Sequence, residues 1–122
     1  MNKEFVPHEQ SLELRKLKFD EPCLGFYVGK DKEVFMSSND FNAPFQFRLD
    51  SKTTFVAPTF SQAFRWFREN YGLLSFIDMD NYSYYRFTIY EGKGISVAPH
   101  KTYEEAELEC LKKLIEIVKE KI

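Results

Sequence analysis

Three times this chain brings a valine and a proline together and follows them with helix-forming sequence. The phrases are FVPHEQS from Phe5, FVAPTFS from Phe55 and SVAPHKTY from Ser96. Proline has no N–H to lend a sheet, and it holds the residue before it extended. Each phrase therefore marks a point where extended chain stops pairing and a helix begins. The second and third phrases share more. VAPTFSQAFRWF, Val56 to Phe67, and VAPHKTYEEAELECL, Val97 to Leu111, both place Thr, then an aromatic, then Ala three residues after the aromatic. The aromatic lies in the first helical turn, and the Ala on its side of the helix permits close packing. A fifty-residue offset also aligns Phe5 with Phe55, Ser11 with Ser61, Arg15 with Arg65 and Phe26 with Phe76. Two origins stay open: an internal duplication, giving an αββ pseudo-repeat, and convergence of helix entries on one chemistry.

The phrases predict three helices. The first runs from about His8 to Lys18, with Leu14, Leu17 and Phe19 as its apolar stripe and Pro22 beyond it. The second runs from about Phe60 to Tyr71, with Thr59 as N-cap, Gly72 as stop, and a stripe of Phe60, Phe64, Phe67 and Tyr71. The third runs from Tyr103 to about Lys121. Thr102 and Glu105 there have the spacing of a capping box, in which the Thr oxygen accepts a first-turn amide and Glu105 reaches back to the Thr102 amide.

Between the helices the apolar period falls to two. CLGFYV and EVFM flank the turn GKDK; FQFRL and TTFVA flank Asp50-Ser51-Lys52; SFIDM and SYYRFTIY flank Asp80-Asn81-Tyr82; GISVA adds a short last strand. Short turns imply antiparallel hairpins. The expectation is one α+β domain over residues 1–122, an antiparallel sheet packed by three helices, in the order α-β-β-(β-β)-α-β-β-(β)-α.

Composition narrows the class. At 122 residues the chain can bury roughly two thirds of its unfolded surface without metal or disulfide. Aromatics make up 17% of it, thirteen of them Phe, so rings fill the core. A net charge of −2 argues against nucleic acid, which needs a basic face. MNKEFVPHEQ has no apolar signal region, and no apolar run approaches the ~18 residues of a membrane span. Cys23 and Cys110 then read as reduced, buried thiols of a cytoplasmic protein. Neither they nor His8 and His100 have metal-ligand spacing, and the five glycines form no phosphate loop. No metal or cofactor is expected.

APTFSQAFRWFRENYGL, TYEEAELECLKKLIEIVK and FVPHEQSLEL together resemble a group of small uncharacterised proteins of Bacteroidetes and their phages or mobile elements. The resemblance covers about half the chain. It implies a bacterial or phage cytoplasmic setting and carries no catalytic residue with it.

The candidate binding residues lie mainly in NYSYYRFTIY. On a strand, Tyr82, Tyr84, Arg86, Thr88 and Tyr90 share one face, while Ser83, Tyr85, Phe87 and Ile89 share the other, apolar one. The first face offers aromatic bodies with polar tips and one guanidinium, suited to a protein partner, to stacked bases or to sugars; it also reads simply as a solvated face of good strand formers. Trp66 lies about 120° from the centre of its helix stripe, which places it on a flank, partly exposed, with Arg65 beside it as a second candidate; the alternative is a ring folded over the edge of the core.

Helix three has two apolar rows. Leu108, Leu111, Ile115, Val118 and Ile122 form one; Tyr103, Ala106, Cys110, Leu114 and Ile117 form the other. Together they span roughly 200°, wider than one sheet contact needs. Either the helix is sandwiched within its own chain, or one row builds a homodimer through Tyr103–Lys121. Glu107 interrupts this arc and is expected to have a raised pKa and a structural ion pair.

These residues favour a small non-enzymatic binding or accessory protein whose partner is an unknown protein held on the Tyr82, Tyr84, Arg86 and Tyr90 face. The first alternative is single-stranded nucleic-acid binding through the same rings. The second is an enzyme whose site is assembled from Glu107, Arg86 and His100.

Overall fold

The computed structural model describes residues 2–36, 54–79, 84–91, 93–96 and 99–121, and for 2 and 93–96 the backbone alone. The predicted strand FQFRL and the residues Tyr82 and Ile122 lie outside these. The fold is α+β, and the described residues form three α-helices and two three-stranded antiparallel sheets. The chain divides into two compact units, Met1–Phe60 and Ser61–Ile122. The single sheet expected from the hairpins is thus two, each strand pairing with neighbours from its own side of the second helix.

In the first unit, a 3₁₀ turn (Asn2–Glu4) precedes α1 (His8–Lys16), β1 (Gly25–Val28), β2 (Phe35–Met36) and β3 (Thr54–Ala57), with sheet order β2-β1-β3. Pro7 is the N-cap of α1, in extended conformation. The helix ends two residues before the expected Lys18. Lys18 takes a left-handed φ of 74°, the Lys18 amide bonds to the Arg15 carbonyl, and the Phe19 amide bonds to the Leu14 carbonyl. That pattern is a Schellman ending, which tucks Phe19 back over Leu14. Tyr27, Phe55 and Ala57 form the core of the sheet's inner face, packed by Phe5, Leu12 and Val34. The His8 ring packs edge-on against both Tyr27 and Phe55, and its Nε2 lies 2.8 Å from the Gly29 carbonyl.

The helix entries do more than end a strand. The Val6 amide donates to the Pro58 carbonyl, and Phe5 forms an antiparallel bridge with Thr59, so the first and second phrases pair with each other. The Val6 carbonyl accepts both the Tyr27 phenol at 2.8 Å and the Ser11 hydroxyl at 3.1 Å. In the third phrase His100 exchanges two backbone bonds with Tyr85. Thr59 and His100 each follow a proline, so pairing extends one residue past the proline where sequence placed its end.

The second unit holds nearly all of α2 (Phe60–Tyr71), then β4 (Leu74–Met79), β5 (Tyr85–Glu91), β6 (Lys93–Ser96) and α3 (Tyr103–Lys121), with sheet order β4-β5-β6. Gly72 closes α2 as expected, at φ 67°, its amide bonded to the Arg68 carbonyl. Helix α3 lies on β5 and β4. Ala106, Cys110, Leu111, Leu114, Ile115, Ile117 and Val118, drawn from both of its rows, are buried within the one chain. Both units begin with a helix and an antiparallel pair of strands. The likeness stops there, because the central strand is the first after α1 but the second after α2.

Candidate functional site

The alternation of β5 divides the second sheet into two unlike faces. Phe87 and Ile89 are 1% and 0% exposed on the side of α3. Tyr90 and Arg86, on the other side, are exposed, Tyr90 to 43%, and Tyr84, just before the strand, is also 43% exposed. Register extends that outer face onto β4, where Leu74 lies opposite Tyr90, Phe76 opposite Thr88 and Asp78 opposite Arg86. Leu74 and Phe76 are 42% and 47% exposed, and the Phe76 ring lies 5.5 Å from that of Tyr90. The face therefore has an apolar end of Leu74, Phe76 and Tyr90 and a charged end at Asp78 and Arg86, with Tyr84 beyond it. Leu74 and Phe76 are additions that the sequence reading missed. Their signal was the same period-two alternation, in LSFIDM, read across the β4–β5 register that sets Leu74 opposite Tyr90 and Phe76 opposite Thr88.

Arg86 Nε donates to Asp78 Oδ1 at 3.0 Å and Nη2 donates to Oδ2 at 3.2 Å. The guanidinium hydrogen bond holds the Asp78 carboxyl below its ordinary value. The two opposite charges thus pair with each other across the strands.

Trp66 is not a surface residue. It is 5% exposed, packed edge-on against Phe67 at 5.1 Å and Tyr71 at 5.4 Å. The expectation of a partly exposed flank is corrected: so large a ring reaches back to its neighbours rather than stay in water. Arg65 is exposed whereas Trp66 is buried, so the two do not form one exposed patch.

On the α3 side the chemistry is different. His100 stacks on Phe87 with ring centres 6.1 Å apart and planes 10° from parallel. Its Nδ1 lies 3.1 Å from Glu105 Oε1, while the Glu105 amide donates to Thr102 Oγ1, also at 3.1 Å. Half of the expected capping box thus forms; the Glu105 carboxylate takes the His100 ring in place of the Thr102 amide. Glu107 is half-buried, and burial, then Glu104, raises its pKa to about 6. The expected ion pair at Glu107 is not made among the described residues. Burial also pushes the Cys110 thiol up to about 12, against a hydrogen bond with Ser75 that lowers it. Arg86 stands on the outer face of β5, whereas His100 stacks against the inner one. Glu107, Arg86 and His100 do not converge.

Among the described residues, no three His, Cys, Asp or Glu side chains group to hold a metal, and no helix is long and apolar enough to cross a membrane. Comparison with protein-family models, curated proteins and solved structures finds no match to this chain.

Proposed function

We propose that this is a small, non-enzymatic binding protein that holds another protein on the outer face of β4 and β5, in the bacterial or phage cytoplasm implied by its resemblance. The observation that carries this reading is the contrast between the two faces of one strand. Phe87 and Ile89 are sealed, while Leu74, Phe76, Tyr84 and Tyr90 are all left more than two-fifths exposed. Contiguous apolar surface rimmed by polar groups is what interfaces use, and Tyr and Arg are enriched at their energetic centres. Charge separates a protein partner from a nucleic acid. Among the described residues of this face the cation is Arg86, and Asp78 pairs with it, so there is little to attract phosphate.

The test is affinity capture from bacterial lysate with wild type and a Tyr84→Ala/Arg86→Ala variant. Capture should fall while stability changes by no more than about 1 kcal/mol, the range for losing an exposed ion pair. Undiminished capture, or a large drop in melting temperature, removes the reading. So does a fluorescence titration in which a single-stranded oligonucleotide binds with steep salt dependence.

A further inference from the structure

We infer that the partner docks by adding one extended strand to the free edge of β4. This mode rests on the docking face proposed above and names the chemistry of what docks there.

β4 is an outer strand of the sheet β4-β5-β6. Among the described residues, the backbone of Leu74–Met79 bonds only to β5. In an antiparallel ladder every second residue of an edge strand directs both its N–H and its C=O away from the neighbour. A row of main-chain donors and acceptors therefore runs along β4. Proteins guard such rows with charges, Lys above all, with Pro, bulges, very short strands or a covering segment. Among the described residues LSFIDM has one such device, the single charge of Asp78, and it pairs without a break from Leu74↔Tyr90 to Met79↔Tyr85. The other edges differ. β2 has two residues, β6 contains a lysine and a glycine, and the Thr54 carbonyl of β3 is taken by Arg15.

β5 shows which side chains β4 accepts. Arg86 lies opposite Asp78, Thr88 opposite Phe76 and Tyr90 opposite Leu74. The pleat presents the same three β4 side chains to a strand on either edge. An antiparallel strand on the free edge should therefore carry a basic residue, a β-branched residue and an aromatic, each two apart. It would cover Leu74 and Phe76 and bring a second cation to the exposed Asp78 carboxylate.

The probe is a synthetic, end-blocked peptide of sequence YRFTIYE, copied from Tyr85–Glu91, titrated into the isotope-labelled full chain. Saturable binding should protect alternate amides of Leu74–Met79 from exchange. Methylating the peptide nitrogens that face β4 should weaken binding at least about tenfold, the equivalent of one lost hydrogen bond. Arg→Glu in the peptide should weaken it too. Equal binding by the methylated peptide overturns strand addition; if Tyr84→Ala/Arg86→Ala still loses lysate capture, the docking face survives by itself. No binding at millimolar peptide also overturns the inference. So does a concentration-dependent dimer of the protein alone that Phe76→Lys abolishes, because a second copy then fills the edge.

Discussion

Arg86 lies directly opposite Asp78 across the β5–β4 ladder and grips both carboxylate oxygens, at 3.0 and 3.2 Å. The hydrogen bond lowers the folded carboxyl below its ordinary 3.8. The sign follows: the pair's stabilisation is present above the unfolded value and is lost as pH falls through the folded one. Arg86→Ala should move the Asp78 carboxyl midpoint up, read by carbon-13 NMR titration. An unmoved midpoint means that the two side chains do not pair in solution.

Glu107 has the opposite sign. Burial raises its folded value from 4.5 to about 6, with Glu104 adding to it. Below 4.5 the group is protonated in both states and costs nothing. Between 4.5 and 6 the unfolded chain releases its proton first, so stability falls as pH rises. The full shift corresponds to about 2 kcal/mol, and partial solvent exposure reduces this to about 1 kcal/mol. Glu107→Gln should therefore stabilise the protein at pH 7 by about that amount and have little effect at pH 4. Urea denaturation at both pH values checks it; equal effects at the two would mean that the charge is not what matters.

Lys18 occupies a backbone region that glycine favours, at φ 74°. An L-residue there costs about 1 kcal/mol. Lys18→Gly should recover part of that, on the order of 0.5 kcal/mol after the greater freedom of glycine in the unfolded chain. A lower urea midpoint in the variant would show that the lysine side chain contributes more than its backbone costs.

Local signals made much of this fold legible. Helices α2 and α3 have their expected limits because Gly72 and Thr102 are strong stop and start residues. The end of α1 was misread because its left-handed position holds Lys18, where composition gives no hint of a turn. The faces of β5 were readable from alternation alone, and Phe87 and Ile89 are buried as that period requires. What could not be read was pairing between distant segments, such as Phe5 with Thr59 and Val6 with Pro58. Leu74 and Phe76 were legible only by carrying the alternation of β5 across the hairpin onto β4. For Trp66 a partly exposed flank and a ring folded over the core both stayed open, because an angle on a helical wheel says nothing of how far a large ring reaches.

Trp66 is the chain's one tryptophan, so its emission reports a single site. Buried against Phe67 and Tyr71, it should emit at short wavelength and resist acrylamide quenching until the protein unfolds. Trp66→Ala should cost about 3–5 kcal/mol, the usual range for a large core ring. A red-shifted, readily quenched emission would return Trp66 to the list of surface residues.

Gly25 is held to glycine by its neighbours rather than by its backbone angles. A Cβ built there would lie 2.9 Å from Phe5 Cε1 and 3.0 Å from both Phe5 Cδ1 and Val34 Cγ2. Those side chains close over β1 because nothing projects from this position, and Phe5 is itself tied down by its bridge to Thr59. Gly25→Ala should destabilise by about 1–3 kcal/mol, as overpacking does. If the clash with Phe5 is the cause, Phe5→Leu added to Gly25→Ala should cost less than the sum of the single changes, because contacting residues couple. Additive costs in that double-mutant cycle would place the strain elsewhere in the sheet.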